Sequence, residues 1–510
     1  MSSTEYHVNR KELQFVVMEV LEAGKLCGFE DFSEFDEDLF SMTINEACTF
    51  AEQVLDPINQ SGDREGCQVE NGSVKTPQGF PEAWRKMGEG GWLAMNMPPD
   101  FGGMGLPELV TVAAKEVQLA ANQSLCIGNT LTTGAANLIL NFGSDEQKEE
   151  YCENMFNGTW SGTMCLTEPH AGSAVGDIIT TAVLQPEGHY LIKGTKQFIT
   201  TGDHDMSENI IHLLLARTEG APDGTKGISL FIVPKFRKDG TQNDVTLVNI
   251  EKKMGLHASP TCVLSFGEKG DCHGYLLQAE NKGMAQMFQM MNEARIGTAL
   301  IGLANGSAAY QNALSYARER VQGTHISKIR EPGTPRVAII EHPAVRYNLM
   351  QMKGKVEGMR ALLYATANIL DDLECLDQED PLYEESRMLL DILTPLCKGW
   401  CTETGIDVVR TAIQVLGGVG YTKDFPLEQM YRDIRVSAIY EGTTDIQALD
   451  LVGRKMTLKN GALFQSLMGR FSSNLENNRE NPQLQAAYQQ WEKQCETLYE
   501  MAMASKEVME

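Results

Sequence analysis

The sequence predicts an α+β multidomain chain. An N-terminal helical domain spans residues 1–160, a middle antiparallel β-domain 161–282, a C-terminal four-helix bundle 283–459, and a short helical extension 460–510. Three observations predict this order. Apolar residues recur at spacings of three and four through the first third of the chain. From about Trp160 the texture turns β-branched, with Gly, Pro and Thr between short apolar runs. From about Gly283 the helical spacing returns and persists. A chain of 510 residues, 42% of them hydrophobic, is long enough to bury several cores.

Each element follows from local chemistry. Asp38 to Leu55 carries apolar residues at helical spacing before Asp56-Pro57 ends the pattern, and Pro77 to Met87 reads as a short helix. Ser144-Asp145-Glu146-Gln147 is an N-cap signature. Two long uncharged stretches, Leu119 to Ser144 and Ile296 to Ala317, are interrupted by Asn and Gln. They read as buried helices of small residues, not membrane spans. Ile178 to Leu184 and Tyr190 to Gly194 flank Pro186-Glu187-Gly188 as a hairpin. Ile210 to Ala216, Gly227 to Val233 and Thr261 to Phe266 supply further strands. Met284 to Arg320, Pro343 to Leu373, Tyr383 to Gly417 and Thr444 to Arg454 read as bundle helices. Between the first two, Gly323 to His342 is a long connection rich in Pro, Gly and charge.

Composition excludes some functions. The formal net charge is −26, which disfavours a phosphate backbone as the main partner, so no nucleic acid is expected. The opening MSSTEYHVNRKELQF lacks an apolar signal core, and Glu5 and Glu12 disfavour a transit peptide. The 12 cysteines are scattered, with no C-x-x-C and no His partners at zinc-site spacing. They read as reduced thiols in a cytoplasmic protein that holds no metal. Gly417-Gly418-Val419-Gly420 contains a G-x-G but follows a helical run and lacks a third glycine. A tight turn between helices is the alternative to a nicotinamide site.

Four blocks, in order, carry a resemblance: Thr167-Glu168-Pro169-His170-Ala171-Gly172-Ser173; Lys193-Gly194-Thr195-Lys196-Gln197-Phe198-Ile199-Thr200-Thr201-Gly202; Lys253-Met254-Gly255-Leu256-His257-Ala258-Ser259-Pro260-Thr261; and Gln414 to Tyr421, running on to Arg432-Asp433 and Ile439-Tyr440-Glu441-Gly442-Thr443-Thr444. Over about residues 40–455 the chain resembles the acyl-CoA dehydrogenases, most closely the extended subgroup that contains 3-methylthiopropanoyl-CoA dehydrogenase. The resemblance implies FAD-dependent α,β-dehydrogenation of an acyl-CoA to the trans-2-enoyl-CoA, with electrons passed to an electron-transferring flavoprotein. It also implies a homodimer or homotetramer that shares FAD across its interface.

The resemblance assigns roles by position. Glu441 matches the base that removes the proton next to the thioester carbonyl, and burial would strengthen it. The backbone N–H of Glu441 matches one donor to the thioester oxygen. Met164, Leu166, Thr167 and Ser173 match the flavin-lining segment. Phe198 to Thr200 match the stack on its other side, with Phe198 where a tryptophan is usual. Arg320, Gln414, Gly418 and Thr443 match cofactor contacts, the first three reaching a neighbouring subunit's FAD. Ser173, Asn292, Arg295, Glu441 and Gly442 match substrate contacts. His257 stands where an arginine is usual, and reads as structural.

Alternatives stay open at this level. Thr444-x-x-Gln447 matches a capping box, so Glu441 could simply precede a capped helix. Some relatives place the base just before the arginine matched by Arg295. That position is Ala294 here, and Glu293, one step off, points about 100° away around a helix. An acyl-CoA oxidase shares these motifs. A nucleic-acid-binding flavoprotein of the same fold would need a basic tail, whereas here seven glutamates outnumber four Lys and Arg after Asn460.

Overall fold

A computed structural model describes residues 6–482 and 484–509; Glu5 and Glu510, used above, lie outside them. Asp36 caps the Glu37–Phe50 helix by accepting from the Leu39 N–H, and a widened turn, Ala51–Leu55, prolongs it. The short helix expected from Pro77 begins at Phe80 and ends at Glu89. The first uncharged stretch divides at Asn122. The Glu108–Ala121 helix stops there, and the Asn122 side chain caps the Gln123–Phe142 helix. Ser144 and Gln147 form both halves of a capping box ahead of the Asp145–Phe156 helix.

The middle region is an eight-stranded sheet, antiparallel in most pairings. Thr181–Leu184 and Tyr190–Thr200 form the expected hairpin, with Gly188 at φ +90° in its turn. Two pairings are parallel: Trp160–Cys165 and Thr181–Leu184 both run alongside Asn209–Thr218. Asn209–Thr218 is buried along nearly its whole length, which explains why its run reads as continuously apolar. The Tyr190–Thr200 strand changes register between Lys196 and Ile199, so a bulge re-aims the residues between them.

Three long helices, Gly283–Glu319, Pro343–Cys375 and Pro381–Leu416, build the C-terminal region, crossed by the shorter Leu427–Ile434 and Thr444–Asp450. The first and third approach closely at Gly302 and Gly405. A Cβ on Gly302 would lie 2.2 Å from the Cys401 carbonyl oxygen, and one on Gly405 2.3 Å from that of Gly302. The Glu108–Ala121 helix packs on the first two, so the N-terminal region shares their core. Beyond them, Leu463, Phe464 and Leu467 of Ala462–Asn478 pack on Leu389 and Ile392. No helix among the described residues is long and apolar enough to cross a membrane.

Two buried ionic junctions hold the regions together. Arg360 meets Glu116 at 3.1 and 2.6 Å, Tyr364 donates to the same carboxylate at 2.7 Å, and Arg360 also reaches Glu12 at 2.8 Å. Asp63 receives Arg432 at 3.1 and 2.6 Å and His257 Nδ1 at 2.9 Å, while Asp433 accepts the Leu256 N–H at 2.5 Å. His257 therefore ties sheet to helices, consistent with its structural reading. Removing one partner of a buried pair leaves an uncompensated charge. Arg360→Met is expected to cost about 3–5 kcal/mol, read as a lower chemical-denaturation midpoint; an unchanged midpoint would show that the pair contributes nothing.

Candidate active site

The chain reverses at Tyr440–Gly442 between a short helical turn, Arg435–Ala438, and the Thr444–Asp450 helix. Glu441 sits at φ +55° and Gly442 at φ +87°, two consecutive left-handed residues. For a glutamate that conformation is strained, so the surroundings must hold it. They do so through carbonyls. Gln447 Nε2 donates to Glu441 O at 3.1 Å and to Gly442 O at 3.2 Å, and Lys398 Nζ donates to Gly442 O at 2.5 Å. This corrects the capping-box reading. The N-cap is Thr443, whose hydroxyl accepts from Ile446 N at 3.4 Å, while Thr444 donates to Glu403 at 2.8 Å. Gln447 turns back to clamp the loop instead of the cap.

The Glu441 carboxyl is desolvated, which pushes it up to about 7 although Arg295 and Lys398 pull the other way. Arg295, 5% exposed on the Gly283–Glu319 helix, pairs with Asp450 at 2.9 Å, and its Nε is buried with no partner among the described residues. Burial pushes Lys398 down to about 8. Glu293 lies on another face, exposed and bonded to Asn137 at 2.9 Å.

The sheet contributes a second cluster. Glu168 is buried and receives Ile179 N, the Thr180 hydroxyl and Lys196 Nζ, the last at 2.8 Å. Burial alone would raise its carboxyl; Lys196 and the N–H donors more than offset this and hold it low. The pair fixes the segment carrying Met164, Leu166 and Thr167, all half-buried. Leu166 O already accepts from Lys196 Nζ at 3.0 Å and Thr167 O from Gln197 N at 2.9 Å. The segment also presents N–H groups and the Thr167 hydroxyl, in line with the backbone and hydroxyl contacts the resemblance implies. Phe198, on the bulge, has φ +59° and is 59% exposed. Thr200 is half-buried on the same strand, paired with Thr261.

One helix borders both clusters. On Gln123–Phe142, a Cβ on Gly128 would meet Thr201 at 3.1 Å, and Thr130 lies 3.1 Å from the Cβ position of Gly297, two residues past Arg295. Asn292 is half-buried on that same long helix and Ser173 is exposed in the loop after Ala171. Three expected residues stand apart. Arg320 is exposed at the end of its helix, bonded to Gln322 at 3.3 Å. Gln414 and Gly418 are exposed around the end of Pro381–Leu416, where a Cβ on Gly418 would meet nothing within 4 Å. Gly417–Tyr421 is a tight helical turn, not the end of a strand.

Sequence families described as the N-terminal, middle and C-terminal domains of acyl-CoA dehydrogenase match residues 40–159, 163–268 and 281–456. The 3-methylmercaptopropionyl-CoA dehydrogenase of Ruegeria pomeroyi is 40% identical over 461 residues, covering 89% of this chain and 77% of the relative. The chain belongs to the acyl-CoA dehydrogenase family. A broad-specificity linear acyl-CoA dehydrogenase of Mycobacterium tuberculosis is 36% identical over 489 residues, 94% of this chain and 80% of that one. Among solved structures, the butyryl-CoA dehydrogenase of Megasphaera elsdenii aligns with a TM-score of 0.67 at 26% identity, covering 82% of this chain and 97% of that one. As an acyl-CoA dehydrogenase the protein is an FAD-dependent oxidoreductase.

The residues fit that cofactor. An aromatic face left exposed at a strained position suits a stacked planar ring, and the neighbouring hydroxyls and N–H groups suit its polar edge. Sequence reasoning missed three residues of this acyl-CoA dehydrogenase: Lys398, Gln447 and Asp450. One signal existed for the first. Pro395, Cys401 and Thr402 flank Lys398 on one helical face and are all buried, an uncharged face in which a lysine is out of place.

A carboxyl raised in the folded state from 4.5 to about 7 binds its proton more tightly folded than unfolded. Stability from this group therefore falls as pH rises across that window. Glu441→Gln removes the penalty. It is expected to raise the melting temperature over wild type by several degrees at about pH 8 and by little at about pH 5; an equal shift at both would contradict the raised carboxyl.

Proposed function

We propose that Glu441 is the catalytic base for α,β-dehydrogenation of an acyl-CoA thioester. The supporting observation is a single desolvated carboxyl on a strained, doubly clamped turn, at the position the family pattern gives the base. Desolvation makes the carboxylate a stronger base, and a value near neutrality balances its ionised fraction against its basicity. Glu441 takes the proton from the carbon next to the thioester carbonyl. Its own N–H donates to the thioester oxygen, where negative charge builds, and Gly442 leaves room for that approach. Arg295 holds positive charge beside the carboxylate and favours its ionised form before reaction. FAD, when bound, supplies the acceptor for the hydride that leaves the neighbouring carbon.

Met164, Leu166, Thr167, Ser173, Phe198, Thr200 and Thr443 are proposed to hold the flavin, and Ser173, Asn292, Arg295 and Gly442 the thioester. Arg320, Gln414 and Gly418, exposed in the single chain, serve a second copy's FAD, which makes the working unit a homodimer or homotetramer. Electrons pass on to an electron-transferring flavoprotein. The cytoplasm supplies the reduced thiols this composition suits.

Anaerobic mixing with a panel of acyl-CoAs is expected to bleach the bound flavin with at least one chain length, and no bleaching with any would contradict the function. Glu441→Gln should retain flavin and lose turnover by roughly 10²–10⁴-fold, the usual worth of a general base. Turnover near wild type would reject the assigned role. Peroxide formed in air in step with turnover would mark an oxidase.

A further inference from the structure

Lys398 is a fully buried charged side chain to which the proposed mechanism gives no role. It lies at the middle of Pro381–Leu416, with its side chain fully enclosed. A lysine has three donors, and an unpaired buried ammonium is expensive. Here its hydrogen bond among the described residues goes to the carbonyl of Gly442, the residue after Glu441. The hydrogen bond sets the ammonium against the turn and leaves its charge beside the carboxylate. Gln447 holds the same carbonyl from the other side, so a neutral donor already serves the geometry. A second neutral donor would do so at less cost than a buried charge.

We propose that Lys398 is a positioning residue for the reaction: its ammonium, seated on the Gly442 carbonyl, holds the Glu441 turn and supplies the fixed positive charge that favours the ionised base. This rests on the reading of Glu441 given above.

The groups around Glu441 come from four elements. Arg295 faces it from the Gly283–Glu319 helix, and Asp450, at the end of Thr444–Asp450, pairs with that arginine through one hydrogen bond. Glu403 is one of the charges felt by Lys398 and is bonded to Thr444. Tyr440 shares the turn, and Asp445 is exposed at the start of the next helix. With Arg295 committed to Asp450, Lys398 is the cation of this set that no carboxylate pairs directly among the described residues. Burial holds Lys398 near 8 and Glu441 near 7, and each charge favours the charged form of the other. Protonated lysine with ionised glutamate is the working form, and it is lost as pH falls through the lower value or rises through the upper.

The test uses the flavin-loaded full chain carrying Lys398→Met or Lys398→Gln. With flavin content intact, both are expected to move the acid limb of the kcat/KM profile upward by about one to three pH units and to lose the wild-type alkaline limb. An acid limb that stays put in either flavin-replete variant overturns the proposal, because a purely structural lysine would change yield or KM without moving the limb. Should neither variant fold, infrared titration of the wild type decides. The Glu441 carboxyl band, assigned by its loss in Glu441→Gln, is expected to shift a second time as Lys398 loses its proton between about pH 7 and 9. A band blind to pH across that range overturns the proposal. If wild type reduces its flavin with no acyl-CoA, the functional reading fails while the infrared titration still reports on the lysine.

Discussion

A half-buried glutamate held in the left-handed region, its carboxyl raised by desolvation, is the constraint around which this molecule is arranged. Neither feature is stable alone. The backbone of Glu441 prefers other conformations, and its side chain prefers bulk water. Both are imposed by neighbours that are themselves buried. Gln447 and Lys398 grip the carbonyls of the turn, and Arg295 stands beside the carboxylate with Asp450 behind it. These partners come from three separate helices, so the turn exists only once the helices have packed. The close crossing at Gly302 and Gly405 brings together the two that carry Arg295 and Lys398.

The same logic extends to the sheet. The Gln123–Phe142 helix touches the strand end after Phe198 on one side and the helix of Arg295 on the other, so the two halves of the site share one support. Asp63 then fixes the sheet to the helices at a separate point, through His257 and Arg432. Polar groups at both junctions are paired in the interior, where a missing partner is costly. The site is therefore assembled by long-range contacts.

Much of this was legible in the sequence. Helical spacing, the Ser144 cap, the hairpin around Gly188 and the switch of texture near Trp160 are local signals, and local chemistry sets them. Glu441, Phe198 and Arg295 were reached through resemblance, and their placement here rests on geometry. What the sequence did not carry was tertiary. Gln447 reads as half of a capping box until the fold turns it back toward Glu441. The two parallel pairings of Asn209–Thr218 depend on which strands meet, which periodicity does not encode. Lys398 stands out among its uncharged helical neighbours, but its bond to the Gly442 carbonyl is set by the fold. The carbonyls of Leu166 and Thr167 are committed to Lys196 and Gln197, pairings set by a strand bulge.

The central claim is that Glu441 removes the proton next to the thioester carbonyl. Exchange of that hydrogen with solvent deuterium measures the step directly, without requiring the hydride to leave. An acyl-CoA incubated anaerobically with the holoenzyme in D₂O and recovered for mass spectrometry is expected to gain deuterium at the carbon next to the carbonyl. With Glu441→Gln it should gain none above background. Equal exchange by the two proteins would contradict the account.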